Sequence, residues 1–171
     1  MARIHPAAGT PAMVEKRHLK ALRAIIEALQ DSTVAWAVTG SLGMVLQGMD
    51  LQVHDIDIQT DEDGAYEIER RLSEFMVQPI LYKASARMRS RLGKFAIEGI
   101  QVEVIGAIQK RLQDGSWEPP VQVPAYRRWV DVGALRVPVL SLEYEYQAYL
   151  LMGRDEKAGL IKSWLDKHGA T

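Results

Sequence analysis

The sequence predicts an α/β or α+β domain, a mixed β-sheet core flanked by helices and followed by a short C-terminal helical tail. Three observations carry that expectation. Segments with helical periodicity alternate with short strand-like runs through the first half of the chain. Two pairs of strand-like runs, meeting at Glu98-Gly99 and around Gly133, have the pattern of β-hairpins. From residue 141 to residue 168 the periodicity turns helical.

Residues 14–29 read as an amphipathic helix, with Leu19, Leu22, Ile25, Ile26 and Leu29 at helical spacing. Residues 34–38 are almost wholly apolar, as a strand buried on both faces would be. Thr39-Gly40-Ser41 breaks that run, and residues 42–46 suit a turn or two of helix. Residues 53–60 alternate: Val53, Asp55, Asp57 and Gln59 fall on one side, His54, Ile56 and Ile58 on the other. Asp61, Glu62 and Asp63 then suit the start of a helix reaching about residue 75, since acidic groups favour its N-terminal dipole end. Strands are expected at residues 78–82 and 92–98, the second turning back through Glu98-Gly99 into residues 100–105. Pro119, Pro120 and Pro124 mark a loop before a hairpin over residues 128–137. Ser141, followed by Glu143 and Glu145, suits a helix start, and Gly153 separates two helices. No repeat or long linker divides the chain. One domain over residues 1–171 is therefore expected, with its core at about 14–140 and its C-terminal helices at about 141–168.

Composition narrows the function. With 21 basic residues against 22 acidic ones, no global field draws in a nucleic acid, so none is expected as a partner. The absence of cysteine excludes disulfides, thiolate metal sites and cysteine nucleophiles. Residues 1–10 lack the apolar run of a signal peptide, and no apolar stretch is long enough to span a bilayer. A cytoplasmic protein without a membrane partner is the expectation.

The chemistry concentrates between Trp36 and Thr60. A buried strand ends in Gly40-Ser41, a helix begins there, and the next strand delivers Asp55-Ile56-Asp57. Glycine lets a ligand approach the backbone closely, and amides at a helix N-terminus attract an anion. The Ser41 hydroxyl adds a donor, so a phosphate tail is the natural guest. Asp55 and Asp57, two residues apart on one strand, can share a hard divalent cation through oxygen ligands. Later, Glu103 stands between Val102 and Val104 on an apolar strand, where a carboxylate is costly unless paired or metal-bound. Were that strand beside the aspartate strand, Glu103 would complete a site for one or two metals or take a proton from an attacking hydroxyl.

Gly40-Ser41, thirteen intervening residues, Asp55-Ile56-Asp57 and later Val102-Glu103-Val104 resemble the signature of the polymerase-beta-type nucleotidyltransferase superfamily. Within it, the sequence is most similar to small bacterial aminoglycoside and lincosamide nucleotidyltransferases. Gly153-Arg154-Asp155-Glu156-Lys157 looks like a basic-acidic element that these proteins often carry in a C-terminal helix. The resemblance implies a mixed-sheet nucleotidyltransferase core, one or two magnesium ions, and ATP or another nucleoside triphosphate as substrate. By position, it gives Gly40, Ser41, Arg154 and Lys157 to the triphosphate, Asp55 and Asp57 to the metals, and Glu103 to the third ligand or base. Two positions depart from the pattern: Glu103 stands where aspartate is common, and Ala158 replaces an acid after Lys157.

The implied reaction moves a nucleoside monophosphate to a hydroxyl of a small molecule. Two alternatives stand beside it: an antitoxin-type enzyme acting on or binding a partner protein, and a nucleotide-binding module without catalysis. Lys83, Arg87, Arg89, Arg91 and Lys94 form an acid-free basic run that suits either a solvated loop or an anionic ligand. Trp36 reads as core and His54 as facing away from the aspartates. Tyr126, Trp129, Tyr144, Tyr146 and Tyr149, with Glu143 and Glu145, suit either core packing or a pocket for a polar or cationic acceptor.

Overall fold

The computed structural model describes residues 13–169. Residues 1–10, read above for a signal peptide, lie outside the described residues. Helix α1 (Lys16–Leu29) leads into β1 (Trp36–Thr39), α2 (Gly40–Leu46), β2 (Ile56–Thr60) and α3 (Glu62–Arg71). A one-turn 3-10 segment, Ser73–Phe75, precedes the long strands β3 (Met76–Ala84), β4 (Met88–Ile97) and β5 (Ile100–Lys110). The short α4 (Val123–Tyr126), the hairpin β6 (Arg127–Val132) and β7 (Leu135–Leu140), then α5 (Leu142–Leu151) and α6 (Asp155–His168) complete the chain. The strands form one mixed sheet in the order β3-β4-β5-β2-β1-β7-β6, with β2–β5 and β1–β7 parallel and the other neighbours antiparallel. The α/β class expected from the sequence is the one observed.

Apolar periodicity explains the layers. Ala21, Leu22, Ile25 and Leu29 of α1 and Ala65 and Ile68 of α3 are buried against Ile56, Ile58, Phe95, Val102 and Val104 on one sheet face. The opposite face is partly covered by α5, whose Tyr144 and Ala148 meet Ala37 of β1, Leu140 of β7 and Ile108 of β5. Helix α6 closes that corner through Ala158 and Ile161 against Met44, Leu142 and Tyr149. Ser141 caps α5 by accepting from the Tyr144 amide, as its place before Leu142 suggests. Glu98 and Gly99 both take positive φ, 55° and 73°, the geometry of a tight two-residue hairpin turn.

Some boundaries move. β2 begins at Ile56 rather than residue 53, because β1 pairs with it only as far as Asp57 and β5 only from Ile56. Asp55 therefore sits in the bend before the strand and is exposed. β5 runs on to Lys110 instead of ending near residue 105, absorbing Ala107 (φ 52°) where the β4 pairing shifts register. The helix expected to reach residue 75 ends at Arg71, and the 3-10 turn carries the chain on to β3.

Candidate active site

The two parallel neighbours β2 and β5 place Asp57 opposite Glu103, and β1 places Thr39 on the other side of Asp57. With Lys94 of β4 opposite Glu103, one row across the half-covered face reads Thr39, Asp57, Glu103, Lys94. The neighbouring-strand relation on which the Glu103 argument depended is present. Gln101 Nε2 ties the exposed Asp55 into the group, donating to Asp55 Oδ2 and to Glu103 Oε1, each at 3.3 Å.

Gly40 makes the turn from β1 into α2 with φ 70°, a conformation costly for a residue with a side chain. Space is also short: a Cβ there would lie 2.7 Å from Asp57 Oδ2. The glycine thus admits the Asp57 carboxylate itself. The Gly40 amide turns inward, donating to Glu145 Oε1 at 3.3 Å, and the Thr39 hydroxyl donates to the same oxygen rather than capping α2. Of the amides expected to face a phosphate, that of Gly40 is therefore already engaged.

Lys157, near the start of α6, reaches across to donate from Nζ to Ser41 Oγ at 3.2 Å. Arg154 and Lys157 lie over the Tyr149 ring, 5.1 and 5.5 Å from its centroid. Six of the seven residues singled out for the site thus meet at one place, and Asp55 stands at its margin. A cavity of about 220 Å³ lies among Thr39, Gly40, Asp57, Glu103, Tyr149 and Arg154.

Electrostatics suit a cation. Burial, then the like charges of Glu103 and Asp55, push the Asp57 carboxyl up to about 7, with Lys157 opposing. Burial and the charge of Arg154 pull the Lys157 ammonium down. Among the described residues no three acidic or imidazole groups already converge as a chelate. The donor chemistry nonetheless fits a hard divalent ion: all oxygen, clustered, and mutually repelling without a counter-charge.

Glu145 stands in the first turn of α5, as its place after Ser141 suggests, but its burial has no signal in the sequence. It appeared as a helix-start acid or a pocket wall for a cationic acceptor, yet it is 3% exposed beneath the Thr39-Gly40 turn. Burial pushes its carboxyl up to about 7 despite the hydrogen bonds from Thr39 and Gly40. Such a raised value contributes stability that is fully present below the ordinary carboxylate value and lost as pH rises through about 7. Glu145→Gln keeps an acceptor oxygen but cannot ionise. Thermal melts at pH 5 and pH 8 should therefore show the variant losing less stability than wild type across that interval. Equal losses would mean that Glu145 carries its charge without penalty.

Other expectations resolve simply. Trp36 is core, and His54 offers its carbonyl to His18 Nε2 at 3.0 Å. Tyr144 packs 4.9 Å from Tyr126 and joins a buried network in which Lys110 donates to its hydroxyl, which donates to Gln59. Glu143 pairs with Arg128 at 3.5 Å. Among the basic run, Arg91 pairs with Glu62, Arg89 donates to Gln109 and lies over Trp117, and Arg87 abuts Gly153.

Comparison with known proteins places the arrangement. A family model described as aminoglycoside-2''-adenylyltransferase matches residues 21–161. A Thermotoga maritima protein provisionally assigned as a nucleotidyltransferase is 49% identical over 90% of this chain and 96% of that one, with a TM-score of 0.79. More distant folds are the lincosamide antibiotic adenylyltransferase LnuA (18% identity, TM-score 0.52, 74% of this chain and 82% of that one) and the antibiotic-resistance factor ANT(2'')-Ia (13%, 0.60, 89% and 86%). The comparison with curated proteins returned no match. Among the described residues no helix is long and apolar enough to cross a membrane. The family match spans every residue of the cluster built above, from Gly40 to Lys157, and the chain belongs to the aminoglycoside-2''-adenylyltransferase family of nucleotidyltransferases.

Proposed function

We propose that the chain transfers a nucleoside monophosphate, AMP from ATP, to a hydroxyl group of a small molecule in a magnesium-dependent reaction. The observation that carries this reading is the register pair Asp57–Glu103 set directly beside the Gly40 turn, with Lys157 reaching Ser41.

Asp57 and Glu103, with Asp55 swinging in from the bend, would hold one or two magnesium ions. When bound, these neutralise phosphate charge and align the leaving pyrophosphate. The chain's own groups do the rest. The Ser41 hydroxyl and the Lys157 and Arg154 cations bind phosphate oxygens, and charge-assisted hydrogen bonds of this kind are the stronger ones. The buried Glu145 holds the Thr39-Gly40 turn so that Asp57 and Ser41 keep their relative placement. Glu103, on the open side of the row, either completes the metal site or accepts the proton of the attacking hydroxyl. A cytoplasmic setting suits a reaction drawing on ATP.

A pyrophosphate-release screen with magnesium, the four nucleoside triphosphates and a panel of hydroxylated acceptors tests the reading. Release above background with at least one acceptor is expected. Magnesium–ATP binding with no release for any acceptor would support the non-catalytic module instead. Glu103→Gln separates the two roles of that residue. If Glu103 acts as base, turnover falls roughly 10²–10⁴-fold with nucleotide affinity spared. If it acts as ligand, the magnesium midpoint also rises. Full activity would remove Glu103 from the site.

A further inference from the structure

Beyond Glu103, on the side away from Ser41 and Lys157, lies a second hollow of about 190 Å³. Its walls are Leu92, Ile105 and Ile108, with Ser90 and Lys83 at one end and Glu103 at the other. Register explains the composition: Leu92 stands opposite Ile105 across β4–β5, and Lys83 opposite Ser90 across β3–β4. Leu81, opposite Leu92, extends the apolar strip to the sheet edge and is 55% exposed. Helices α1 and α3 pack on the other face, α5 borders the strip at Ile105 and Ile108, and toward Leu81 the strip is exposed.

We propose, resting on the nucleotidyl-transfer reading, that this hollow seats the acceptor, and that the acceptor has an apolar body and an anionic rather than a cationic group.

Charge complementarity decides the sign. Among the described residues Glu103 is the single carboxylate lining the hollow, and it is committed to the row with Asp57 and to Gln101. The acids beside it are engaged as well: Asp57 shares the proposed metal position with Glu103, and Glu145 lies buried under the Thr39-Gly40 turn. Lys83 lines the far end, and Lys94 stands beside Glu103 in the row. An aminoglycoside, bearing several ammonium groups, would meet Lys83 in the hollow and Lys94 beside it, and no carboxylate outside the metal position to offset its charge. An apolar body displaces water from Leu92, Ile105 and Ile108, while a terminal carboxylate meets Lys83. This member of the family is therefore built for a different acceptor class from the one in the family's name.

A matched set of probes isolates the charge: 8-hydroxyoctanoate, 1-octanol and 8-amino-1-octanol, each with one hydroxyl on an eight-carbon chain. Methyl NMR titrations of the full chain with magnesium and ATP should show shifts centred on Leu92, Ile105 and Ile108. The hydroxy acid should bind about tenfold or more tighter than the amino alcohol, with octanol between. Lys83→Glu, an exposed substitution, should reverse the order. The proposal is overturned if the amino alcohol binds as tightly as the acid, if none of the three binds, or if Lys83→Glu leaves the order unchanged. Pyrophosphate release with polyamine acceptors alone would overturn the acceptor class while sparing nucleotidyl transfer. Binding of the hydroxy acid by a chain that takes up no magnesium–ATP would support the hollow and remove the transfer reading instead.

Discussion

Asp57→Asn is expected to abolish magnesium-dependent nucleotide binding while leaving the protein folded and, above neutral pH, more stable. The two halves of this result have one cause. Asp57 lies between Thr39 and Glu103 in the sheet, partly buried, with Asp55 nearby, and its carboxyl is pushed up to about 7. A raised carboxyl value means stability present below the unfolded value of 3.8 and lost progressively as pH rises through about 7. In the metal-free protein at pH 8, wild type carries that loss and the amide variant does not. At roughly 1.4 kcal/mol per unit, the difference is on the order of a few kcal/mol at most. In the proposed metal site, cation binding would reverse the balance, because the same ionised carboxylate that repels Glu103 would hold the ion. Calorimetry with magnesium–ATP and thermal melts at pH 5 and pH 8 measure both effects. Unchanged magnesium–ATP affinity in the variant would remove Asp57 from the metal site.

What was readable in the sequence follows the range over which each residue is determined. Asp57 and Glu103 could be picked out locally: strand alternation sets their face, and a carboxylate between valines stands out energetically. Gly40 was readable because a strand-to-helix turn of this kind requires a residue that tolerates positive φ. Alternation through residues 53–55 puts Asp55 on the strand, yet alternation says nothing of whether a partner strand is there to pair. Glu145 was not readable. Two positions from another glutamate at a helix start, it looked like an ordinary dipole-favouring acid, and its burial depends on α5 packing beneath a turn 105 residues earlier. Lys157 is indicated by resemblance alone, and its reach to Ser41 depends on how α6 packs against α2 and α5, which no local pattern encodes. β5 extends past residue 105 through Gly106-Ala107, a pair with low strand propensity. There, Gly106 lets Ala65 of α3 sit where a Cβ would come within 2.7 Å of it, so the residue that resembles a terminator is a packing requirement.

Gly40→Val should cost more than any other single change in the proposed phosphate-binding half of the site, and far more than Ser41→Ala. Two penalties combine. The backbone at φ 70° strains a residue with a side chain by roughly 1–2 kcal/mol, more for a β-branched one. The new Cβ falls 2.7 Å from Asp57 Oδ2, so either the carboxylate or the turn must move. Moving the carboxylate disturbs the metal position, and moving the turn breaks the Gly40 amide's bond to Glu145 and displaces Ser41. Nucleotide affinity should therefore fall by on the order of 100-fold or more, the equivalent of about 2.8 kcal/mol. Ser41→Ala removes one hydroxyl partner of Lys157 and one proposed phosphate donor, worth about 1 kcal/mol, or roughly fivefold. Gly40→Ala separates the contributions, since the Cβ alone already meets Asp57 and the γ-methyls add only further crowding. It should retain the fold by circular dichroism and still bind nucleotide more weakly than Ser41→Ala. If Ser41→Ala proved the more damaging of the two, the tight approach of the Gly40 backbone to Asp57 would be incidental, and the phosphates would rest on the Ser41 hydroxyl instead.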